Sequence, residues 1–249
     1  MTDRIFRSGK RRIFVSPALE GSPDTWPLSD ADAHYLTRVL RLKEDTPVNL
    51  ADGSGRLFEG TLAPNGDAWT LQNLHVVHTE APQPPRILVA ALIKPDRWEW
   101  MLEKAAEIGA THILPLQAAR SVVRIPPKKL PKRRERWQRI LEGAARQCER
   151  LSPVTIDAPI TLQQALEQTE QTTRLLLDET VPKRAWPSLD IHQPIAIFIG
   201  PEGGWDDDER TQLNQANAQS VGLGRNLLRA ETAAISALTI LRALDHQIL

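Results

Sequence analysis

Apolar positions change rhythm twice along the 249 residues. Between residues 10 and 75 they come in short runs: Ile13-Phe14-Val15, Val48-Asn49-Leu50, Leu57 to Leu62, and Trp69 to Leu71. Asp52-Gly53-Ser54-Gly55 and Asn65-Gly66 separate the later runs, and such turn dipeptides predict antiparallel hairpins. Ser29 with Asp32 predicts the cap of one helix through His34, Leu36, Val39 and Leu40. The pattern indicates a small β domain. Ala81-Pro82-Gln83-Pro84-Pro85 then reads as a linker, because so many prolines continue neither a helix nor a central strand.

Beyond the linker, strands and helices alternate. Ile87 to Ala91, His112 to Leu116, Leu175 to Asp178, Ile195 to Ile199 and Val221 to Leu223 predict strands. Trp98, Leu102, Ala105 and Ile108 fall at helical spacing and stop at Gly109. Trp137, Ile140, Leu141 and Ala144 mark a second helix. The alternation predicts a mostly parallel α/β sheet, with ligands beyond the carboxyl ends of its strands. A last helix, Glu231 to His246, is apolar almost all round. It predicts burial on most sides or a subunit interface, with Leu238 and Leu241 buried in or beside it.

Two glycine-containing loops fall at predicted strand exits. Ile195 to Ile199 leads into Gly200-Pro201-Glu202-Gly203-Gly204-Trp205, whose three glycines permit positive φ and close approach of a ligand to the backbone. Leu223-Gly224-Arg225-Asn226-Leu227-Leu228-Arg229 leads into the last helix. Each loop alone reads equally as a simple turn; the two together suggest a composite small-molecule pocket.

Charge adds a distribution rather than a sum, since 31 basic and 31 acidic residues cancel. Arg120 to Arg150 holds eleven Lys and Arg against Glu135, Glu142 and Glu149, while Glu202 to Glu209 holds five acids and no base. Basic stripes on a neutral chain suit a phosphate-tracking face, or a solvated helix surface. Cys148 is the only cysteine and the six histidines lack ligand spacing, so neither a disulfide framework nor a metal site is expected. No apolar stretch approaches about eighteen residues, and Met1-Thr2-Asp3-Arg4 opens without an apolar run; a soluble, cytoplasmic protein without membrane contact is expected.

Gly-Pro-Glu-Gly-Gly-(aromatic), followed by Leu223-Gly224 and Leu227-Leu228-Arg229-Ala230-Glu231-Thr232-Ala233, resembles the ribosomal RNA uracil-N3 methyltransferase family (RsmE-type) of the SPOUT, or α/β-knot, superfamily. The resemblance extends over essentially the whole chain. Arg12-Ile13-Phe14-Val15, His34-Tyr35-Leu36 with Arg38-Val39-Leu40-Arg41, Lys94 with Arg97 and Glu99 through Gly109, and Gln147 to Arg150 share it. Ala230 stands where the family writes Thr, Trp205 where Phe is commoner, and Arg225-Asn226 in reversed order.

The resemblance implies an α/β fold: a PUA-like RNA-binding β-barrel at residues 1–75 and an α/β-knot methyltransferase domain at residues 82–249, knotted as a trefoil and dimeric. It implies S-adenosyl-L-methionine as cofactor and N3 of a uridine in small-subunit ribosomal RNA as acceptor, with the small ribosomal subunit as partner. A ribose 2′-O-methyltransferase, or a non-catalytic RNA-binding assembly protein, is the alternative. The cofactor would lie against Leu177, Ile199, Gly200, Glu202, Gly203 and Gly204 from one side. Leu223, Gly224, Leu228, Thr232 and Ala233 would serve from the other: glycines for close approach, leucines for the adenine plane. Arg229 and Glu231 are the reactive candidates. An Arg stabilises charge developing on a uracil oxygen or grips a phosphate, and a Glu accepts a proton or merely caps a helix. RNA contacts are expected at Arg12, Arg38 and Arg41, at Lys94, Arg97 and Arg120, and at Lys132, Arg133, Arg134 and Arg150. The stacking candidates Trp98, Trp100 and Trp137 sit at helical spacing, which favours a core role.

Overall fold

In a computed structural model of the chain, residues 12–15, 19–181 and 186–245 are described. They form two compact units, Met1–Pro82 with Ala145–Pro153, and Gln83–Ala144 with Val154–Leu249. The first unit thus runs past residue 75 and recruits a later segment that the sequence reading left with the second.

The first unit holds a five-stranded sheet: β1 (Arg12–Phe14), β2 (Trp26–Pro27), β3 (Pro47–Ala51), β4 (Arg56–Asn65) and β5 (Ala68–Thr79), in the order β1-β3-β4-β5-β2. β1 pairs with β3 in parallel, and the other pairings are antiparallel. The expected Asn-Gly hairpin joins β4 to β5, Asn65 facing Ala68, with Gly66 at φ 61°. Ser29 caps helix α1 (Asp30–His34) by accepting from Asp32 N at 3.1 Å. The helix then widens into a π turn over Tyr35–Val39, with Leu40 N donating to Tyr35 O at 2.9 Å, instead of continuing as a regular α-helix. The widening leaves Leu36 buried and Val39 exposed. Ile13, Leu36, Leu50, Phe58, Leu62 and Leu71 fill the core.

The second unit is α/β. Its six strands are β6 (Arg86–Ala91), β7 (His112–Leu116), β8 (Thr155–Ile156), β9 (Thr173–Leu177), β10 (Ile195–Ile199) and β11 (Gln219–Val221). They lie parallel in the order β11-β9-β10-β6-β7-β8. Alternate residues face opposite layers, so the central strands need apolar side chains at every position. Leu88, Leu175, Ile197 and Ile199 pack beneath α2 (Pro95–Ile108), α3 (Leu130–Gln147) and α6 (Ala230–Asp245). Val89, Leu176, Ala196 and Phe198 pack beneath α4 (Leu162–Gln168) and α5 (Asp207–Gln215). Gly109 ends α2 at φ 124°, its N–H donating to Ala105 O. Trp98 and Trp137 join α2 to α3 in the core, rings 5.5 Å apart, while Trp100 is exposed.

The last helix meets its expectation on one stripe only. Leu238 and Leu241 are 2% and 1% exposed and belong to this chain's own core, so their burial needs no second subunit. Ile235, Thr239 and Ile240 line a groove of about 520 Å³ with Trp186, Leu223 and Leu228. Arg86, at the start of β6, anchors the helix end through Asp245, Nη2 to Oδ1 at 2.6 Å. No helix among the described residues is long and apolar enough to cross a membrane.

Candidate functional site

Sheet order builds the site. β11, β9 and β10 are neighbours, and Leu177 pairs with both Ile199 and Val221, so three strands end at one level. Their carboxyl ends, at Asp178, Gly200 and Val221, open side by side into a cavity of about 480 Å³. Both glycine loops reach it. Gly200, Glu202, Gly203 and Gly204 line it with Leu177 and Ile199, and Leu223, Gly224, Leu228 and Ala233 complete the expected set except Thr232, which is exposed outside the lining. Asp178, Glu179, Pro201, Val221 and the stretch Arg225 to Leu227 also line it, none of them expected. The signal for Asp178 and Glu179 was their place directly after a parallel strand.

The glycines serve different purposes. Gly204 has φ 70°, and a Cβ there would collide with Glu179 Oε1. Gly203 does not take a left-handed φ; its missing Cβ makes room for Arg120, whose Cβ would lie 3.3 Å away. Gly200 packs on the Trp205 indole, where a Cβ would stand 3.1 Å from Nε1. Trp205 is fully buried and donates from Nε1 to Leu177 O at 3.0 Å, tying the β10 loop to the end of β9.

The acids from Asp206 to Glu209 form the first turn of α5, where they satisfy free amides and oppose the helix dipole. Asp206 and Glu209 make a capping box, and Glu209 also accepts from Ala119 N at 2.8 Å. That bond fastens the segment after β7 to the segment after β10. Arg120 Nη1 donates to Gly203 O at 3.3 Å, and its Nη2 lies 3.6 Å from Asp206.

The two reactive candidates separate. Arg229 is exposed on the cavity wall and pairs with no carboxylate among the described residues. Glu231 is buried and absent from the lining; its Oε1 lies 3.7 Å from Arg97 Nε, and Oε2 has no hydrogen-bond partner among the described residues. Arg229 precedes the first helical residue, Ala230, and its carbonyl accepts from Ala233 N at 2.8 Å, whereas Glu231 lies inside the first turn of α6. Arg97 thereby becomes the neighbour of Glu231 between α2 and α6, whereas Lys94 stays exposed at the α2 N-cap.

Among the other expected RNA contacts, Arg12 is corrected. It is 1% exposed, and its Nη1 donates to Glu149 O at 2.5 Å, so it holds a turn inside the first unit. Burial pushes its pKa down against the attraction of Glu149. Arg150 donates to Ser152 O at 3.3 Å. Arg38 and Arg41 are exposed in the same unit, Arg41 at φ 54°. On α3, Arg133 lies 3.9 Å from Glu99 and Arg134 donates to Ile156 O at 3.3 Å, while Lys132 is exposed. The strong pair there is Arg136–Glu99, with both hydrogen bonds at 2.6 Å. Among the described residues, no group of three His, Cys, Asp or Glu side chains is placed to hold a metal ion.

A parallel α/β unit with a loop-built pocket at its strand exits is the frame of a nucleotide-handling enzyme, and known proteins narrow the class. Residues 79–242 match the RNA methyltransferase domain, and residues 28–67 match the RNA methyltransferase PUA domain. The ribosomal RNA small subunit methyltransferase E of Rickettsia conorii is 32% identical over 94% of this chain and 95% of its own length. Its namesake from Synechocystis is 34% identical over 88% of this chain and 73% of its own length. A solved methyltransferase from Legionella pneumophila, in complex with bound SAM, superposes with TM-score 0.82 at 28% identity, covering 94% of this chain and 98% of its own. The Neisseria gonorrhoeae ribosomal RNA small subunit methyltransferase E, bound to S-adenosyl methionine, gives 0.81 at 27% identity over 94% and 97%. The fold is therefore that of an α/β-knot (SPOUT) methyltransferase domain with a small N-terminal PUA-like domain. The chain belongs to the ribosomal RNA small subunit methyltransferase E family.

Proposed function

We propose that this chain transfers a methyl group from S-adenosylmethionine to N3 of a uridine in small-subunit ribosomal RNA, as a cytoplasmic homodimer. The observation that carries the reading is the pocket where three parallel strands end together, lined by both glycine loops. Its chemistry fits the cofactor. Leu177, Ile199, Leu223 and Leu228 offer apolar surface for an adenine plane, and the loops bring backbone N–H and C=O groups within reach of its edge. When bound, adenosylmethionine supplies an activated methyl on a sulfonium, so the protein has to orient the acceptor, exclude water and help the N3 proton to leave.

Arg229 is the candidate for that help. It lines the cavity and has no carboxylate partner among the described residues, which leaves its guanidinium available to stabilise negative charge on a uracil oxygen as N3 loses its proton. Glu231, beside Arg97 and off the cavity, instead fixes the start of α6 and with it the position of Arg229. The first unit, with exposed Arg38 and Arg41, is the RNA-binding domain; Lys94, Arg120 and Lys132 extend the basic surface of the second. The groove lined by Trp186, Ile235 and Ile240 is the surface for a second copy.

The test is methyl transfer from labelled adenosylmethionine to small ribosomal subunits that lack the modification, with the product located by mass spectrometry of the digested nucleosides. Methyl on uracil N3 is expected; methyl on a ribose 2′ oxygen, or no turnover, overturns the reading. Arg229→Ala should lower kcat at saturating RNA by about a hundred-fold, as loss of an oxyanion donor does. A change confined to KM would make Arg229 a phosphate clamp.

A further inference from the structure

The cavity wall carries a charged device that neither glycine loop explains. Glu179, two residues beyond the end of β9, lines the cavity together with Asp178. Arg210 on α5 holds both: Nη2 lies 2.6 Å from Glu179 Oε1, and Nε lies 3.5 Å from Asp178 Oδ1. A third carboxylate, Asp207, sits 3.4 Å from the same guanidinium, which also donates to Trp205 O at 2.7 Å. Three carboxylates share one cation, so among the described residues the cluster keeps an excess of negative charge, and two of its members face the cavity.

Glu179 is also held in place from the side. Gly204 at φ 70° gives up the volume of a side chain to it, since any Cβ there would strike Oε1. Oε1 is taken by Arg210, and Oε2 makes no hydrogen bond among the described residues. The result is a carboxylate fixed at the cavity wall with one oxygen available.

We propose that Glu179, positioned by Arg210 and Gly204, binds the α-ammonium group of the methionine tail of adenosylmethionine. This rests on the cofactor reading above and adds a recognition residue to it. The cofactor has two cationic centres, and physical chemistry chooses between them. A carboxylate against the sulfonium would stabilise a charge that is dispersed as the methyl leaves, favouring the ground state over the transition state. The ammonium keeps its charge throughout, so binding it costs no catalysis. It also donates three hydrogen bonds, and a charge-assisted bond to an anchored carboxylate is the strong kind.

Calorimetry with Glu179→Gln and three ligands tests this. The substitution keeps shape and an acceptor for Arg210 while removing the charge. Affinity for adenosylmethionine and for adenosylhomocysteine should both fall about ten-fold, since both carry the ammonium. Affinity for methylthioadenosine, which has the nucleoside but no amino-acid tail, should be unchanged and reports an intact pocket. Glu179→Asp, which keeps the charge, should fall between wild type and Glu179→Gln. Loss confined to adenosylmethionine would place Glu179 at the sulfonium, and equal loss of all three ligands would give it a purely structural role. No loss at all would remove it from recognition; each of these three outcomes overturns the proposal. Failure of the wild-type protein to bind any of the three would instead overturn the cofactor reading itself.

Discussion

At the scale of single residues the pocket depends on what stands behind the glycines. Trp205 Nε1 donates to Leu177 O from a fully buried position, and Gly200 lies flat on the same indole. A phenylalanine there fills most of the volume and supplies no donor. Trp205→Phe is expected to cost about 1–3 kcal/mol, the penalty for removing one partner from a buried hydrogen bond. Because Leu177 and Gly200 both line the cavity, adenosylmethionine affinity should drop with it. Denaturant midpoints and calorimetry check the two effects, and an unchanged midpoint would show that the bond contributes nothing. The same neighbourhood shows what sequence conveys at this scale. The Gly200-Pro201-Glu202-Gly203-Gly204 motif marks the loop, because glycine excess at a strand exit has few other uses. Which glycine needs a left-handed φ depends on Glu179 and Arg120, which approach from distant segments, so the role falls to Gly204 and not Gly203. The position of Glu231 off the cavity lining has a related cause. Its place in the first turn of a helix was legible, but the direction in which that turn faces depends on α2 packing against α6.

At the scale of elements, strongly patterned segments are read correctly and short ones are lost. Four of the five apolar runs after the linker become β6, β7, β9 and β10, because burial on both faces requires uninterrupted apolar residues, whereas the run expected over Val221 to Leu223 meets β11 (Gln219–Val221) only at Val221. α4 and α5 went unread: one has seven residues, and the other looked like an acidic patch. Their capping boxes, Thr161 with Gln164 and Asp206 with Glu209, were the available signals. The turn between β3 and β4 was recognised, but its energetics follow from coordinates alone. Asp52 is fully buried; burial by itself would raise its pKa, yet hydrogen bonds from Ser54 and Arg56 outweigh that and hold the carboxyl below its ordinary value. A depressed folded-state pKa means that the unfolded chain takes up the proton first. The stabilisation is therefore complete above the ordinary carboxylate range, near pH 4, and lost as pH falls through the lower folded value. Asp52→Asn should cost about 1–3 kcal/mol at neutral pH, with the deficit shrinking below about pH 4. Unfolding curves of both proteins over that range measure it. A deficit that persists at acid pH would assign the turn's stability to shape instead of charge.

At the scale of the whole molecule, apolarity around α6 was the visible feature, and two explanations competed for it. The structure puts one stripe of the helix in the core and leaves another on a groove. Leu238 and Leu241 go to the core, while Ile235 and Ile240 are left beside Trp186 on a groove. Hydrophobic periodicity has no means of making that division, since it depends on which strands the helix covers. Leu223 and Leu228 line the groove and the candidate cofactor cavity alike, so the two surfaces share a wall. A second copy seated on the groove would hold that wall in place, and assembly would then strengthen cofactor binding. A stable homodimer removes about 800 Å² from each partner, far more than the groove alone provides, so the contact has to extend along the exposed side of α6. Ile240→Arg places a charge on that side without touching the core positions. It should shift the protein from dimer to monomer at micromolar concentration, and should weaken adenosylmethionine binding in parallel while leaving the unfolding of the second unit cooperative. Sedimentation and calorimetry on the same samples check both. A wild-type protein that sediments as a monomer would rule out the dimer, and a monomeric variant with wild-type affinity would separate assembly from the pocket.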